Sequence, residues 1–135
     1  MHQSTLDVLS KNLPFITFKQ TYGMSEIGIL PIKSKSSNSR EIKIIKNDHI
    51  DWKVNEDNTL SIKSDFSMIG YLNEESPFDK NGWLNTGDII LKKSNEYFEI
   101  IGRKKTFINI GGLKVLPIEI ESIANNFNGV FITTG

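Results

Sequence analysis

The chain has 135 residues, with 16 basic and 16 acidic side chains, and therefore a formal net charge of zero. This balance argues against a protein held to nucleic acid or to an anionic membrane mainly by charge. The absence of cysteine excludes disulfides, thiolate metal sites and a cysteine nucleophile. The sequence has neither a signal-peptide pattern nor an apolar stretch long enough to span a bilayer, so we expect a soluble, cytoplasmic protein.

The predicted elements begin with a short amphipathic helix over residues 3–11 and an alternating strand over residues 15–18. A polar loop over residues 33–40 follows, and a solvated surface explains its three positive charges better than phosphate binding does. Short strand-like runs separated by turn residues cover residues 41–45, 50–54, 59–62, 89–92 and 96–101. Such closely spaced strands predict a small antiparallel sheet or barrel.

The pattern changes after Arg103. Residues 107–110 predict one more strand, and a helix is predicted to begin near Pro117. Proline suits the first helical position, and the acidic residues Glu119 and Glu121 suit the first turn, where the helix dipole favours negative charge. This end of the chain therefore reads as the start of a separate α+β unit.

We place a domain boundary at residues 102–105, which divides the chain into residues 1–102 and residues 103–135. The predicted fold class is α+β. A β-rich antiparallel sheet or barrel subdomain is followed by the opening strand and helix of a small second domain.

Three short motifs pair glycine with polar or charged residues that suit a nucleotide. They are Tyr-Gly-Met-Ser-Glu at 22–26, Thr-Gly-Asp at 86–88 and Gly-Arg-Lys-Lys at 102–105. Glycine lets the backbone approach a ligand closely, carboxylates hold metals or accept from ribose hydroxyls, and arginine matches phosphate oxygens. One such motif is weak evidence, but three in a fixed order favour a nucleotide site.

Each residue of the first motif also has a simpler interpretation. Glu26 could hold a magnesium ion carried by phosphates, Ser25 could add a hydroxyl and Tyr22 could stack on a base. The alternative is a strand-to-loop turn with a core tyrosine and an exposed glutamate.

The other motifs leave the same choice open. Asp88 could accept from both ribose hydroxyls, or it could cap its own backbone in a turn. Arg103 could hold ribose or phosphate, or belong to a solvated basic turn. Gly111 and Gly112 could let a thin ligand arm pass along the backbone, or could form a tight turn.

Taken together, the motifs resemble the adenylate-forming superfamily of AMP-dependent synthetases and ligases, which includes acyl-CoA synthetases and peptide-synthetase adenylation domains. Residues 20–26 resemble its Tyr-Gly-x-Thr/Ser-Glu segment, and residues 82–88 its Gly-Trp-x-x-Thr-Gly-Asp element. Residues 59–72 resemble the stretch that ends in Gly-Tyr-Leu. Residues 102–121 are similar to the segment that joins the large domain to the small, mobile one.

The resemblance implies roles for individual residues. Tyr22 would stack against adenine, Ser25 would contact phosphate and Glu26 would hold Mg²⁺. Asp88 would bind the ribose hydroxyls, and Arg103 would help to hold the ATP or AMP.

Further roles follow from the same resemblance. Gly23 would belong to the nucleotide site, Lys105 would fall at the hinge of the small domain, and Gly111 and Gly112 would line the channel for the thiol acceptor. The implied reaction joins a carboxylic acid to ATP and then to a thiol. The thiol would belong to CoA or to the phosphopantetheine of a carrier protein, and fatty acid metabolism is the implied context.

Parts of the family pattern are missing, so no catalytic residue is assigned. The Ser/Thr/Gly-rich phosphate loop and the lysine near the end of the small domain are both absent, and Asn109 replaces a lysine often found before the glycine pair. We therefore expect a fragment that spans the end of the large domain and the start of the small one, and that is inactive alone.

Three alternatives stay open at this stage. The chain could derive from a peptide-synthetase-type adenylation domain, or it could be a non-catalytic nucleotide- or partner-binding module. It could also fold poorly alone, because strands that lack their partners would expose apolar side chains such as Ile89, Ile100 and Ile101.

Overall fold

The computed structural model describes residues 3–93, 96–106, 108–110 and 113–124. Within these ranges lie two α-helices, α1 (Gln3–Asn12) and α2 (Pro117–Ala124), and a short 3-10 helix at Lys104–Thr106. The strands are β1 (Gly23–Met24), β2 (Gly28–Ile29), β3 (Ile32–Ser34), β4 (Ile42–Ile44), β5 (Ile50–Val54), β6 (Thr59–Ser64), β7 (Leu84–Lys92), β8 (Phe98–Arg103), β9 (Ile108–Ile110) and β10 (Leu113–Val115). The predicted α+β class with an antiparallel, β-rich part is confirmed.

A six-stranded sheet forms the centre of the protein, in the order β3-β4-β8-β7-β6-β5. Each neighbouring pair of strands is antiparallel. Its apolar side chains build one core, in which Leu60 and Ile62 of β6 and Phe98 of β8 are almost completely buried. Burial of such side chains is worth roughly 1.5–3 kcal/mol each, so this sheet is the main source of stability.

Polar residues buried beside this core satisfy one another. The side chain of Asn55 donates to the hydroxyls of Thr59 and Ser61 at 2.8 and 2.9 Å. Because a buried polar group without a partner costs about 1–3 kcal/mol, these bonds allow the polar residues of β6 to lie buried between β5 and β7.

Several predicted elements are found where the sequence indicated them. Helix α1 matches the prediction over residues 3–11, β5 matches residues 50–54, and α2 begins at Pro117. At the start of α2 the backbone N–H of Leu116 donates to Glu119 Oε2 at 2.9 Å, so this acidic residue caps the helix.

The strand predicted over residues 15–18 is wrong. Pro14 and Phe15 lie in a turn after α1, and Phe15 is 90% exposed. The backbone N–H of Phe18 donates to the Ser37 hydroxyl at 3.0 Å instead of to a neighbouring strand. The alternating pattern had no partner strand to pair with, and a single strand without a partner is not stable.

The boundaries of the polar loop and of β7 also differ from the prediction. Lys33 and Ser34 belong to β3, because they pair with β4. Strand β7 begins at Leu84, well before Asp88, because its first part, from Leu84 to Ile89, pairs with β6, and its last part, from Asp88 to Lys92, pairs with β8. Gly111 and Gly112 lie outside the described residues.

The segment after β8 packs back onto the sheet. Strands β9 and β10 form an antiparallel pair, and Leu116, which follows them, is buried. A Cβ atom placed on Gly102 would come within 2.9 Å of Leu116 Cδ2, so only glycine permits this close approach without a shift. The boundary at residues 102–105 stays a prediction. In the described part of the chain, no helix is long and apolar enough to cross a membrane.

Candidate nucleotide site

Residues from all three motifs line one pocket of about 610 Å³. The first motif contributes Gly23, Ser25 and Glu26, which lie in and beside the β1–β2 turn. The other lining residues are Met24, Tyr71, Glu74, Pro77, Leu84, Asn85, Thr86, Gly87, Arg103 and Lys105. Segments far apart in sequence therefore meet at a concave, polar surface of the size that small-molecule sites have.

The first motif forms a tight hairpin, which differs from the strand-to-loop turn of the simpler interpretation. Gly23 pairs with Ile29 across the hairpin, and Ile27, at the end of the turn, is buried in the core. A Cβ atom on Gly23 would lie 2.4 Å from the carbonyl oxygen of Gly28, so the two strands can approach only because position 23 is glycine. The buried Ile27 and this close approach fix the Ser25-Glu26 tip against the pocket.

The second and third motifs meet through the register of β7 and β8. Asp88 and Arg103 are direct cross-strand partners in this antiparallel pair. Their side chains form an ion pair, with Arg103 Nε donating to Asp88 Oδ1 at 2.8 Å. The Asp88 carboxylate is only 4% exposed, and the hydroxyl of Tyr22 donates to its other oxygen at 2.6 Å.

The electrostatics of this cluster follow from burial and pairing. Burial, helped by the hydrogen bond to the Asp88 carboxylate, raises the pKa of Tyr22 far above its ordinary value. The hydrogen bond to the same carboxylate raises the pKa of Arg103. Tyr22 therefore stays a protonated donor and Arg103 stays charged. The interpretation of Asp88 as a cap on its own backbone is wrong, because its two carboxylate oxygens accept from the side chains of Arg103 and Tyr22.

Glu26 is the carboxylate that reaches the pocket from the first motif. It accepts from the Ser25 hydroxyl at 3.1 Å through Oε2 and from the Tyr71 hydroxyl through Oε1. The hydrogen bond from Tyr71 holds the pKa of the Glu26 carboxyl below its ordinary value, so the group is ionised at neutral pH.

The carboxylates of the pocket suit a metal ion that arrives bound to phosphates. They do not suit a metal site built from protein ligands alone. Among the described residues there is no group of three or more acidic, histidine or cysteine side chains that could hold a metal. Magnesium in phosphate sites commonly takes only one or two protein carboxylates and completes its shell with phosphate and water. Glu26, ionised and on the pocket wall, meets that requirement.

No protein-family model matches the chain. Among curated proteins it is 36% identical over 117 residues to a long-chain-fatty-acid–CoA ligase of Haemophilus influenzae, a match that covers 76% of this chain and 21% of the relative. It is 30% identical over 144 residues to 4-coumarate–CoA ligase 5 of Oryza sativa, which covers 91% and 27%. A medium/long-chain-fatty-acid–acyl-carrier-protein ligase of Mycobacterium tuberculosis matches at 37% over 75 residues, which covers 53% and 14%.

Solved structures share the fold of this chain. The amide bond synthetase of Marinactinospora thermotolerans has a TM-score of 0.71 at 14% identity and covers 93% of this chain and 29% of its own. ATP-bound MatB of Rhodopseudomonas palustris has a TM-score of 0.59 at 22% identity and covers 82% and 25%. At these identities the structures show that the fold is shared.

The chain belongs to the adenylate-forming superfamily. It spans between 14% and 27% of the length of the curated relatives described above.

This member of the superfamily brings together most of the residues that its sequence singled out. Gly23, Ser25, Glu26, Arg103 and Lys105 line the pocket. Tyr22 and Asp88 form the hydrogen-bonded layer beside it, and Gly111 and Gly112 lie outside the described residues. Lys105, predicted as a hinge, is exposed at the pocket wall in the 3-10 helix; its role as a hinge stays a prediction.

The pocket residues missed from the sequence include the polar side chains of Tyr71, Glu74 and Asn85. Tyr71 belongs to the Gly-Tyr-Leu stretch that carried part of the resemblance, so that stretch was the available signal. Its contact with Glu26 joins residues 45 positions apart, and no local pattern indicates a contact over such a distance.

Proposed function

We propose that this chain provides a nucleotide half-site of an AMP-forming acid–thiol ligase. The observation that carries the proposal is the convergence of the three motifs on one pocket that contains both cations and carboxylates. ATP is the expected ligand, since its phosphates suit Arg103 and Lys105 and its magnesium ion suits Glu26.

Each residue has a distinct part in this proposal. Arg103 holds ribose or phosphate oxygens, because its side chain is 60% exposed even while it pairs with Asp88. Asp88 would accept from the ribose hydroxyls in the nucleotide-bound state. Its carboxylate lies beside the pocket and is almost completely buried, and Tyr22 and Arg103 use two of its about four acceptor positions. Tyr22 offers its ring to the base while its hydroxyl holds Asp88, and Ser25 contacts phosphate.

In the whole enzyme the substrate carboxylate would attack the α-phosphate of ATP, forming an acyl-adenylate and releasing pyrophosphate. A thiol would then attack the acyl carbon and release AMP. Mg²⁺, held by Glu26, would offset the charge of the phosphates, while Ser25 and Arg103 would keep them oriented. A cytoplasmic location belongs to the same proposal.

The identities of the acid substrate and of the thiol acceptor are proposed only from the names of the relatives. Long-chain fatty acids and CoA are the leading candidates, on the name of the Haemophilus influenzae ligase. A carrier-protein thiol is the second candidate, because the Mycobacterium tuberculosis relative is named as an acyl-carrier-protein ligase.

Calorimetric titration of the 135-residue protein with ATP tests the half-site. We expect weak binding that magnesium strengthens, and Arg103→Gln should weaken it about tenfold or more, because a charge-assisted hydrogen bond is worth roughly 1.5–3 kcal/mol. Lys80→Gln is the matched control, since Lys80 is an exposed cation away from the pocket.

Two results would count against the proposal. One is a folded protein that does not bind ATP with or without magnesium, which would favour a partner-binding module. The other is an equal loss of affinity in the Arg103 and Lys80 variants, which would reduce the interaction to general charge attraction. Pyrophosphate exchange measured in the same samples separates nucleotide binding from catalysis.

A further inference from the structure

Glu26 is attached to the segment around Tyr71 by both its backbone and its side chain. The carbonyl oxygen of Glu26 accepts from the backbone N–H of Met68 at 2.8 Å. Its carboxylate accepts from the Tyr71 hydroxyl. The hairpin tip and Tyr71, which both line the pocket, are therefore held together by two hydrogen bonds.

We propose that Tyr71 is a positioning residue, which orients the Glu26 carboxylate toward a divalent cation carried by nucleotide phosphates. This inference rests on the proposed nucleotide site. It adds a function to a residue that neither the motifs nor the comparisons assign.

The hydrogen bonds define the orientation of the carboxylate without filling its acceptor positions. Tyr71 donates to Oε1 and Ser25 donates to Oε2, so both oxygens are held. A carboxylate has about four acceptor positions, which leaves lone pairs for a cation. Carboxylates that bind metals are commonly fixed by such outer hydrogen bonds, and loss of the outer partner typically lowers metal affinity 10–100-fold.

The charges around the pocket explain why Glu26 needs a fixed partner. The lining carries two cations, Arg103 and Lys105, and a second carboxylate, Glu74. An unrestrained Glu26 side chain could turn toward either cation and away from a metal. The Tyr71 hydroxyl is neutral, so it fixes the carboxylate without cancelling its charge.

Tyr71→Phe removes the hydroxyl and keeps the ring. Because Tyr71 is exposed, this variant is expected to fold like the unaltered protein, and circular dichroism checks this. The measurement is the magnesium concentration that gives half of the magnesium-dependent gain in ATP binding. We expect a roughly tenfold higher value in the variant and unchanged ATP binding without magnesium. Tyr97→Phe is the matched control, since Tyr97 lies outside this pocket.

A double-variant comparison tests whether Tyr71 acts through Glu26. Glu26→Gln keeps the shape of the side chain and removes its charge, so it should abolish most of the magnesium effect. Adding Tyr71→Phe to Glu26→Gln should then change nothing further, because the two residues act as a unit.

The outcomes separate this inference from the proposed function. Magnesium-dependent ATP binding with the same half-saturation in Tyr71→Phe and in the unaltered protein overturns the role of Tyr71 and leaves the nucleotide site intact. The role of Tyr71 is also overturned if Tyr71→Phe lowers ATP binding in the presence of magnesium equally in the unaltered protein and in the Glu26→Gln variant. Absence of ATP binding in the unaltered protein contradicts the nucleotide site itself, and the positioning role with it.

Discussion

At the scale of single residues, Asp88 of the second motif connects all three motifs, because it bonds to Tyr22 of the first and to Arg103 of the third. Its carboxylate is almost inaccessible to water, yet it carries charge-assisted hydrogen bonds from Tyr22 and Arg103. A buried carboxylate is costly unless it is paired in this way. The cluster therefore has a structural function, in that it ties the β1–β2 hairpin to β7 and β8, and it prepares the site as well.

Tyr22→Phe tests this residue-level contribution. Loss of a hydrogen bond to a charged group should lower the free energy of unfolding by about 1.5–3 kcal/mol at neutral pH, measured by urea denaturation. The folded state raises the pKa of Tyr22, so this stabilisation is full below the ordinary pKa of 10.0 and is lost as the pH rises above it. The difference in unfolding free energy between the unaltered protein and Tyr22→Phe should accordingly become smaller in alkaline buffer. Equal stabilities at neutral pH would show that the bond contributes nothing, and Tyr97→Phe serves as the control.

At the scale of elements, the sequence was informative where local patterns decide the structure. Helix α2 follows from Pro117 and Glu119, and β5 from its flanking turns. Strand β7 was underestimated because Asn85, Gly87 and Asp88 are poor strand formers. Pairing with β6 on one side and β8 on the other overrides that local preference.

The site shows the same division between local and non-local information. The sequence identified Glu26 and Arg103 by residue type and motif order. Their shared pocket depends on strand register, above all on the pairing of Asp88 with Arg103. Tyr71 could not be derived in this way, since its contact with Glu26 depends on the path of residues 65–71 after β6.

Gly23→Ala tests the hairpin as an element. The added methyl carbon would lie 2.4 Å from one backbone atom and 2.8 Å from another, so the strands must separate. We expect a loss of about 1–3 kcal/mol in unfolding free energy and a clear loss of ATP affinity, because the Ser25-Glu26 tip moves. Ile29→Ala is the control, since this side chain in the same hairpin is 81% exposed. Unaltered ATP affinity in a destabilised Gly23 variant would separate the hairpin from the site.

At the scale of the whole molecule, the protein exposes apolar side chains that its own core does not cover. Ile69 and Leu72 are fully exposed, and Phe66 is mostly exposed in the same stretch. The residues expected to be exposed, Ile89, Ile100 and Ile101, are instead half-buried in the sheet. The loop between β6 and β7 therefore carries one group of exposed apolar side chains that lie close together in sequence.

Such a stretch should make the isolated chain associate with itself as its concentration rises. Exposed apolar patches are commonly interaction surfaces, and these side chains gain roughly 25 cal/mol for each Å² removed from water. Sedimentation velocity over a range of concentrations measures the effect, and Ile69→Ser combined with Leu72→Ser should reduce association without lowering the thermal midpoint. Val8→Ser, an exposed position on α1, should leave association unchanged.

A monomer at every concentration would refute the prediction, while equal effects of all these substitutions would indicate a general gain in solubility with no defined surface. Selective loss of association in the double variant would instead identify this loop as the surface through which the chain contacts other copies of itself.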